Sequence, residues 1–279
     1  MIRQRPFAQV DVFSSEAYRG NPVAVILDAE GISDEDMARI ARWTNLSETT
    51  FLLPPTTDEA DYRVRIFTQT REIPFAGHPT LGSARAWLEA GGAPRTEGTI
   101  VQECGAGLVE LRKDGEVLSF ASPPTTRTGP IEDDHLAGLV SALGITADQV
   151  LDHQWVDNGP GWAAIRLASA AEVLALEPDF SDLPDAMVGV VGAHPAGSPH
   201  AFELRAFAPG ANVAEDPVTG SLNASVAQWL TSTGQAPQRY TAAQGTRLGR
   251  TGEIAVAVQD GRVWIGGATV VLFRGTATV

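Results

Sequence analysis

Along the stretch Tyr62-Arg63-Val64-Arg65-Ile66, apolar and charged residues alternate one for one, the period of a strand with one face buried. Shorter runs of the same character predict strands at Val10–Phe13, Pro22–Leu27, Thr49–Leu53, Thr99–Glu103, Leu108–Arg112 and Val117–Ala121. Helical spacing is rarer. Ser33-Asp34-Glu35-Asp36 reads as a capping box, followed by Met37, Ile40, Ala41 and Thr44 on one face. Further on, a helix is predicted near His135–Leu143, a Gly159-Pro160-Gly161 turn enters a strand at Trp162–Leu167, and another strand lies at Phe202–Phe207. The chain closes with strands near Glu253–Gln259, Arg262–Ile265 and Thr269–Phe273. Many short strands with few helices favour an α+β chain over a regular parallel βαβ array.

One phrase occurs twice. Gly77-His78-Pro79-Thr80-Leu81-Gly82-Ser83 is echoed by Glu215-Asp216-Pro217-Val218-Thr219-Gly220-Ser221, each copy followed by an Ala-rich amphipathic run. Pro79 and Pro217 stand 138 positions apart (217 − 79), as do the paired Gly and Ser residues, about half of the 279-residue chain. Each copy therefore predicts a helix, over Pro79 to Ala90 and Pro217 to Leu230, with proline in the first turn, where its missing N–H removes no hydrogen bond. Two related halves follow from this repeat. The Ser122–Pro130 segment, rich in Pro, Thr and Gly, is the natural boundary, giving lobes at 1–121 and 130–279, with the last strand available to return to the first lobe.

Composition narrows the partners. A formal charge of −14 repels nucleic acid and anionic membrane, since such binding depends on Lys and Arg neutralising phosphates. There is no apolar run of eighteen residues and no basic-then-apolar leader, so the reading is a cytoplasmic protein. A single cysteine, Cys104, excludes an internal disulfide, and the five histidines lack zinc-site spacing, so no metal is expected. Dinucleotide, phosphate-loop and nucleophile-elbow motifs are absent. An anionic small molecule stays possible because helix N-termini supply local positive potential against the global field.

Three groups could carry chemistry. Glu48 sits at a helix-to-strand junction, and a carboxylate partly withdrawn from water there can serve as a general base near neutral pH; most glutamates, however, are solvated or cap helices. His78 and Asp216 occupy matching slots before the two repeated prolines. Asp216 fits an N-cap, whereas histidine is a poor one, and if the halves face each other the two side chains could hold and relay a proton. Gly77, Gly220 and Ser221 could offer backbone N–H groups or a hydroxyl to a carboxylate, or could simply permit tight turns. Asn21, in the Gly20-Asn21-Pro22 turn, could present its amide to a ligand or serve the turn alone.

Taken together, Glu16 through Val25, Ser47-Glu48-Thr49-Thr50-Phe51, Phe75 through Gly82 and Glu215 through Ser221 resemble the PhzF family of phenazine-biosynthesis-like proteins, and Gln244-Gly245 with Leu248-Gly249-Arg250 resembles its C-terminal signature. The resemblance covers nearly the whole chain in family order. It implies a diaminopimelate-epimerase-like fold, two similar strand-rich lobes each wrapped around a central helix, with the active site in the cleft between them. It also implies a homodimer without metal or organic cofactor, and isomerisation of trans-2,3-dihydro-3-hydroxyanthranilate by a proton shift. In that family pattern Glu48 is the general acid/base, His78 and Asp216 support it, and Gly77, Gly220 and Ser221 contact the substrate carboxylate; Asn21 and Ser47 fall in the same matching phrases. The two-cysteine racemisation of the epimerase relatives is excluded, because this chain has one cysteine, away from the helix starts. The expected activity is a cofactor-independent isomerase of a small carboxylate; the alternatives are a binding protein for a small acidic metabolite, or an epimerase or lyase using the same glutamate.

Overall fold

A computed structural model describes residues 3–279. Its contacts divide the chain into two units: the first holds the chain up to Ala121 together with Gly266–Val279, the second Ser122–Ile265.

The first unit is built from β1 (Gln4–Val12), β2 (Asn21–Ile26), α1 (Asp34–Thr44), β3 (Glu48–Leu53), β4 (Tyr62–Thr68), the two-residue β5 (Glu72–Ile73), α2 (Gly77–Glu89), β6 (Thr99–Cys104), β7 (Gly107–Asp114) and β8 (Val117–Ala121). Its strands run in the order β1-β2-β3-β4-β6-β7-β8, with β2–β3 and β4–β6 parallel and β1–β2, β3–β4, β6–β7 and β7–β8 antiparallel. The last strand of the chain pairs with both β8 and β1 and so closes the order on itself. Within it, α2 is buried from Gly77 through Ala86, against β1, β2, β3, β4, β6 and β8. A helix enclosed on every side must be slim, which explains Gly82, Ser83, Ala84 and Ala86. A Cβ at Gly82 would sit 2.3 Å from Val23 Cγ1. Three polar side chains of α2 find partners inside: Ser83 Oγ donates to Thr50 Oγ1 at 2.9 Å, Gln102 Nε2 to Thr80 Oγ1 at 3.0 Å and Arg85 Nε to Thr269 Oγ1 at 2.8 Å. Outside, α1 starts on Ser33, whose hydroxyl accepts from Asp36 N as the capping pattern predicts, and buries Met37 and Ala41 against Ile26, Phe51 and Phe67.

The second unit contains α3 (Asp133–Leu143), β9 (Asp152–Trp155), β10 (Ala163–Leu167), α4 (Ala170–Ala175), β11 (Val188–Ala193), β12 (Phe202–Ala208), β13 (Val213–Asp216), α5 (Gly220–Ser232), β14 (Arg239–Gln244), β15 (Gly252–Gln259) and the start of β16 (Arg262–Thr278), in the order β16-β15-β14-β12-β11-β10-β9, with β13 on β12. Leu139, Leu143, Val173 and Leu176 of α3, α4 and the residue after it join Ile165, Leu167, Val188, Val190 and Phe207 in one core. The principal helix, α5, is buried from Gly220 through Ala227. A Cβ at Gly189 of β11 would meet Leu222 at 2.4 Å, so this sheet position stays bare to admit the helix.

Several expectations need correction. The two helices of the repeated phrase do not start at equivalent positions. The first begins at Gly77, placing His78 and Pro79 within its first turn, while the second begins at Gly220, three residues after Pro217. Asp216 is therefore the last residue of β13 rather than an N-cap. Thr219 takes the cap position, its hydroxyl donating back to Asp216 Oδ2 at 2.6 Å. The strands expected at Arg262–Ile265 and Thr269–Phe273 are one strand, β16. Gly266 marks close approach instead of a turn, since a Cβ there would lie 2.8 Å from Ser119 Cβ. The strands β5, β9, β11, β13 and β14 and the short α4 went unpredicted. The Pro-rich 122–130 segment packs into the second unit: Gln228 Nε2 donates to Ser122 Oγ and to Pro123 O, and Thr126 N to Asp157 O.

Candidate active site

In the first unit, three predicted residues come together. Glu48 opens β3 directly after the left-handed Asn45 cap of α1, and a 2.7 Å hydrogen bond between Thr44 Oγ1 and Thr49 Oγ1 ties the helix end to the strand start. The buried Thr50, held by Ser83, fixes the next turn of the strand against α2. These anchors leave Glu48 with a side chain 15% exposed, its Oε2 3.3 Å from Nε2 of His78, a contact short of hydrogen-bond alignment. His78 is buried in the first turn of α2, and its Nδ1 lies 3.3 Å from Asn21 Nδ2. Asn21, itself buried, opens β2 after a turn that Asp11 holds, its Oδ2 accepting from Arg19 N and Gly20 N. Gly20 is required there because a Cβ would stand 2.2 Å from Val12 O.

Burial lowers His78 to about 3, with a contact to the Pro22 backbone working against it. The ring is thus neutral near pH 7, so the His78–Glu48 contact is that of a carboxyl group beside a neutral imidazole and not an ion pair. Asn21 Nδ2 borders Nδ1 of the ring, and Nε2 is the atom that faces Glu48. A neutral ring there borders the carboxyl group without adding a compensating charge. Ser47 and Gly77 adjoin this cluster in sequence, Gly77 as the buried first residue of α2.

Both principal helices begin without a side-chain cap and with no acidic residue in the first turn, whereas α1 has a Ser33 cap and Asp34, Glu35 and Asp36. The α2 start keeps its first N–H groups, those of Gly77 and His78, outside the helical ladder, and those of Gly220, Ser221 and Leu222 do the same in α5. Uncapped, uncharged N-termini retain the positive potential that favours an anion.

In the second unit, Asp216, Gly220 and Ser221 gather at the start of α5. Gln244, which the sequence did not single out, organises them: its Nε2 donates to Asp216 O at 3.0 Å and to Thr219 Oγ1 at 2.9 Å, and its Oε1 accepts from Thr219 N and Asn223 Nδ2. Asn158 and Trp162 were also missed, although they flank the Gly159-Pro160-Gly161 turn. Asn158 Nδ2 donates to Ser221 O at 2.9 Å, and Trp162 Nε1 to Ser221 Oγ at 3.0 Å. Among the described residues no group of three His, Cys, Asp or Glu is placed to hold a metal. Burial raises the Cys104 thiol, which disfavours the nucleophilic thiolate.

Residues 10–277 match the sequence pattern of the family described as phenazine biosynthesis-like protein, PhzC-PhzF. The chain belongs to this family. It is 36% identical to the trans-2,3-dihydro-3-hydroxyanthranilate isomerase of Pseudomonas aeruginosa over 88% of this chain and 87% of that protein. It is also 39% identical to antisense-enhancing sequence 1 of Schizosaccharomyces pombe over the full length of both. A PhzF-family crystal structure from Enterococcus faecalis, 27% identical, superposes with a TM-score of 0.81 over 99% of this chain and 100% of that one. A probable proline racemase from Agrobacterium radiobacter, 16% identical, shares the fold with a TM-score of 0.61 over 100% of this chain and 93% of that one. The α+β fold is thus the diaminopimelate-epimerase-like one, and the relatives make this PhzF-family chain an enzyme of the isomerase type. No helix of the described residues is long and apolar enough to cross a membrane.

Proposed function

We propose that this enzyme is a cofactor-independent isomerase that moves a proton on a small cyclic carboxylate related to trans-2,3-dihydro-3-hydroxyanthranilate, with Glu48 as general acid/base. The observation that carries this reading is the Glu48–His78–Asn21 cluster: a largely buried carboxyl group held against a neutral imidazole that Asn21 in turn orients. Glu48 takes a proton from an activated carbon and returns it elsewhere on the same molecule. His78 holds the Glu48 carboxyl group in place, and Asp216 is the proton-handling carboxyl group of the second unit. Gly77, Gly220 and Ser221 bind the carboxylate through backbone N–H groups and a hydroxyl, while Asn21 and Ser47 complete the contacts. A positioned general acid/base of this kind contributes about 10²–10⁴ in rate.

The test is turnover of trans-2,3-dihydro-3-hydroxyanthranilate in D₂O, followed by NMR, with wild type and Glu48→Gln. The amide keeps the shape and loses the base, so isomerisation and deuterium incorporation should fall at least about 100-fold while binding persists. Undiminished turnover by the variant overturns the assignment. The same reading makes the protein a cytoplasmic homodimer; light scattering of the purified chain checks the dimer.

A further inference from the structure

We infer that Trp162 is a positioning residue that holds the Ser221 hydroxyl oriented to donate to a carboxylate, an inference that rests on the proposed role of Ser221 as a carboxylate contact. A serine hydroxyl donates one hydrogen bond and accepts up to two. The Trp162 indole can only donate, and its Nε1–H points to Ser221 Oγ at 3.0 Å, so this bond occupies an acceptor site of the serine and leaves the hydroxyl proton free to turn elsewhere. Ser221 is itself 5% exposed and Trp162 3%, so the pair is held in a dry setting where a fixed donor counts for more than in water. Ser221 also lies in the first turn of α5, where the helix N–H groups already favour an anion. Thus the hydroxyl proton and the backbone donors act on the same kind of ligand atom, an oxygen bearing negative charge.

Asn158 gives a second and independent sign of a ligand. Its Nδ2 fastens the Ser221 carbonyl at 2.9 Å, yet its Oδ1 is buried without any hydrogen-bond partner, on a residue only 7% exposed. An acceptor left open in this way can take a hydrogen bond only from a donor, such as the amino group of an amino-substituted carboxylate, and not from the carboxylate itself. Asn158 and Trp162 belong to one rigid turn: Asp157 Oδ1 accepts from Gly159 N at 2.7 Å and Gly161 N at 2.6 Å, and both glycines adopt positive φ that other residues resist. The turn therefore delivers both grips on Ser221, one to its side chain and one to its backbone.

A double-mutant cycle tests this, with anthranilate as the probe and calorimetric Kd as the readout, on wild type, Trp162→Phe, Ser221→Ala and the double variant. Loss of a charge-assisted hydrogen bond should weaken Ser221→Ala about 10-fold or more. Trp162→Phe, which keeps an aromatic ring but has no N–H, should weaken binding about 5-fold with the Ser221 hydroxyl present and not at all in the Ser221→Ala background. A benzothienylalanine at position 162, which replaces the N–H by sulfur at nearly constant shape, should reproduce the Phe result even if Trp162→Phe folds poorly. Equal losses from the Trp change in both backgrounds would show a purely structural role and overturn the inference. So would wild-type failure to bind anthranilate up to about 10 mM. Because the Glu48 test reads proton exchange and this one reads binding, each can fail while the other stands.

Discussion

His78 carries a pH dependence that follows from its burial. Its folded value, about 3, lies below its ordinary value of 6.5, so between those limits the unfolded chain binds a proton that the native ring refuses. The contribution of this group to stability is therefore complete above about pH 6.5 and lost progressively as the pH falls toward 3. Urea midpoints measured from pH 7 down to pH 4 should fall, and they should fall less steeply for His78→Gln, which cannot take up the proton; parallel curves would refute this. Arg205 offers a second residue-scale expectation. It is 4% exposed and forks onto Glu215 at 2.9 and 2.8 Å while donating to Leu176 O, thereby fastening the strand that ends in Asp216. Arg205→Met leaves Glu215 without that partner and should lower the unfolding free energy by about 3–5 kcal/mol in urea titrations. His78 and Asp216 stand out in the sequence because a histidine and an aspartate occupy matching slots, and Glu48 because it lies where a helix gives way to a strand. Trp162, Asn158 and Gln244 do not, because an isolated buried amide or indole has no pattern until its partner is in place.

At the scale of elements, strands whose two faces differ were legible and those buried on both faces were not. The strand β4 alternates Arg with Val and Ile and was read correctly, whereas β11, Val188-Gly-Val-Val-Gly-Ala193, is buried almost throughout and has no period to detect. The capping box of α1 was equally plain, and Ser33→Ala should cost about 1 kcal/mol of stability by removing an acceptor from the Asp36 N–H. For α2 the limiting quantity is space. Gly82→Val would press a branched side chain into Val23, and it should destabilise the fold by at least about 1–3 kcal/mol, measured by thermal unfolding; a neutral result would mean that α2 is not tightly enclosed. The shared phrase misled about the start of α5. Similar words begin two helices, but Gln244 and Asp216 bind Thr219 and hold the chain extended there until Gly220.

For the whole molecule, the organising fact is that β16 belongs to both units: 262–265 are counted with the second and 266–278 with the first. Ending the chain after Ile265 would remove the strand that pairs with both β1 and β8, exposing two edges and the polar groups of Arg85. Limited proteolysis of that truncation should degrade residues 1–121 rapidly, and persistence of a protected first-unit fragment would show the closure to be dispensable. The sequence by itself determined the strand-rich α+β class, the duplication, the family and the identities of the side chains at the two helix starts, because periodicity and repeated phrases are local properties of the chain. Only the tertiary structure decided where α5 begins, that β16 is unbroken through its glycines, that His78 is neutral and set against Glu48, and that Trp162 grips Ser221. Each of those depends on burial or on a partner distant in sequence, and neither is defined until the chain has folded.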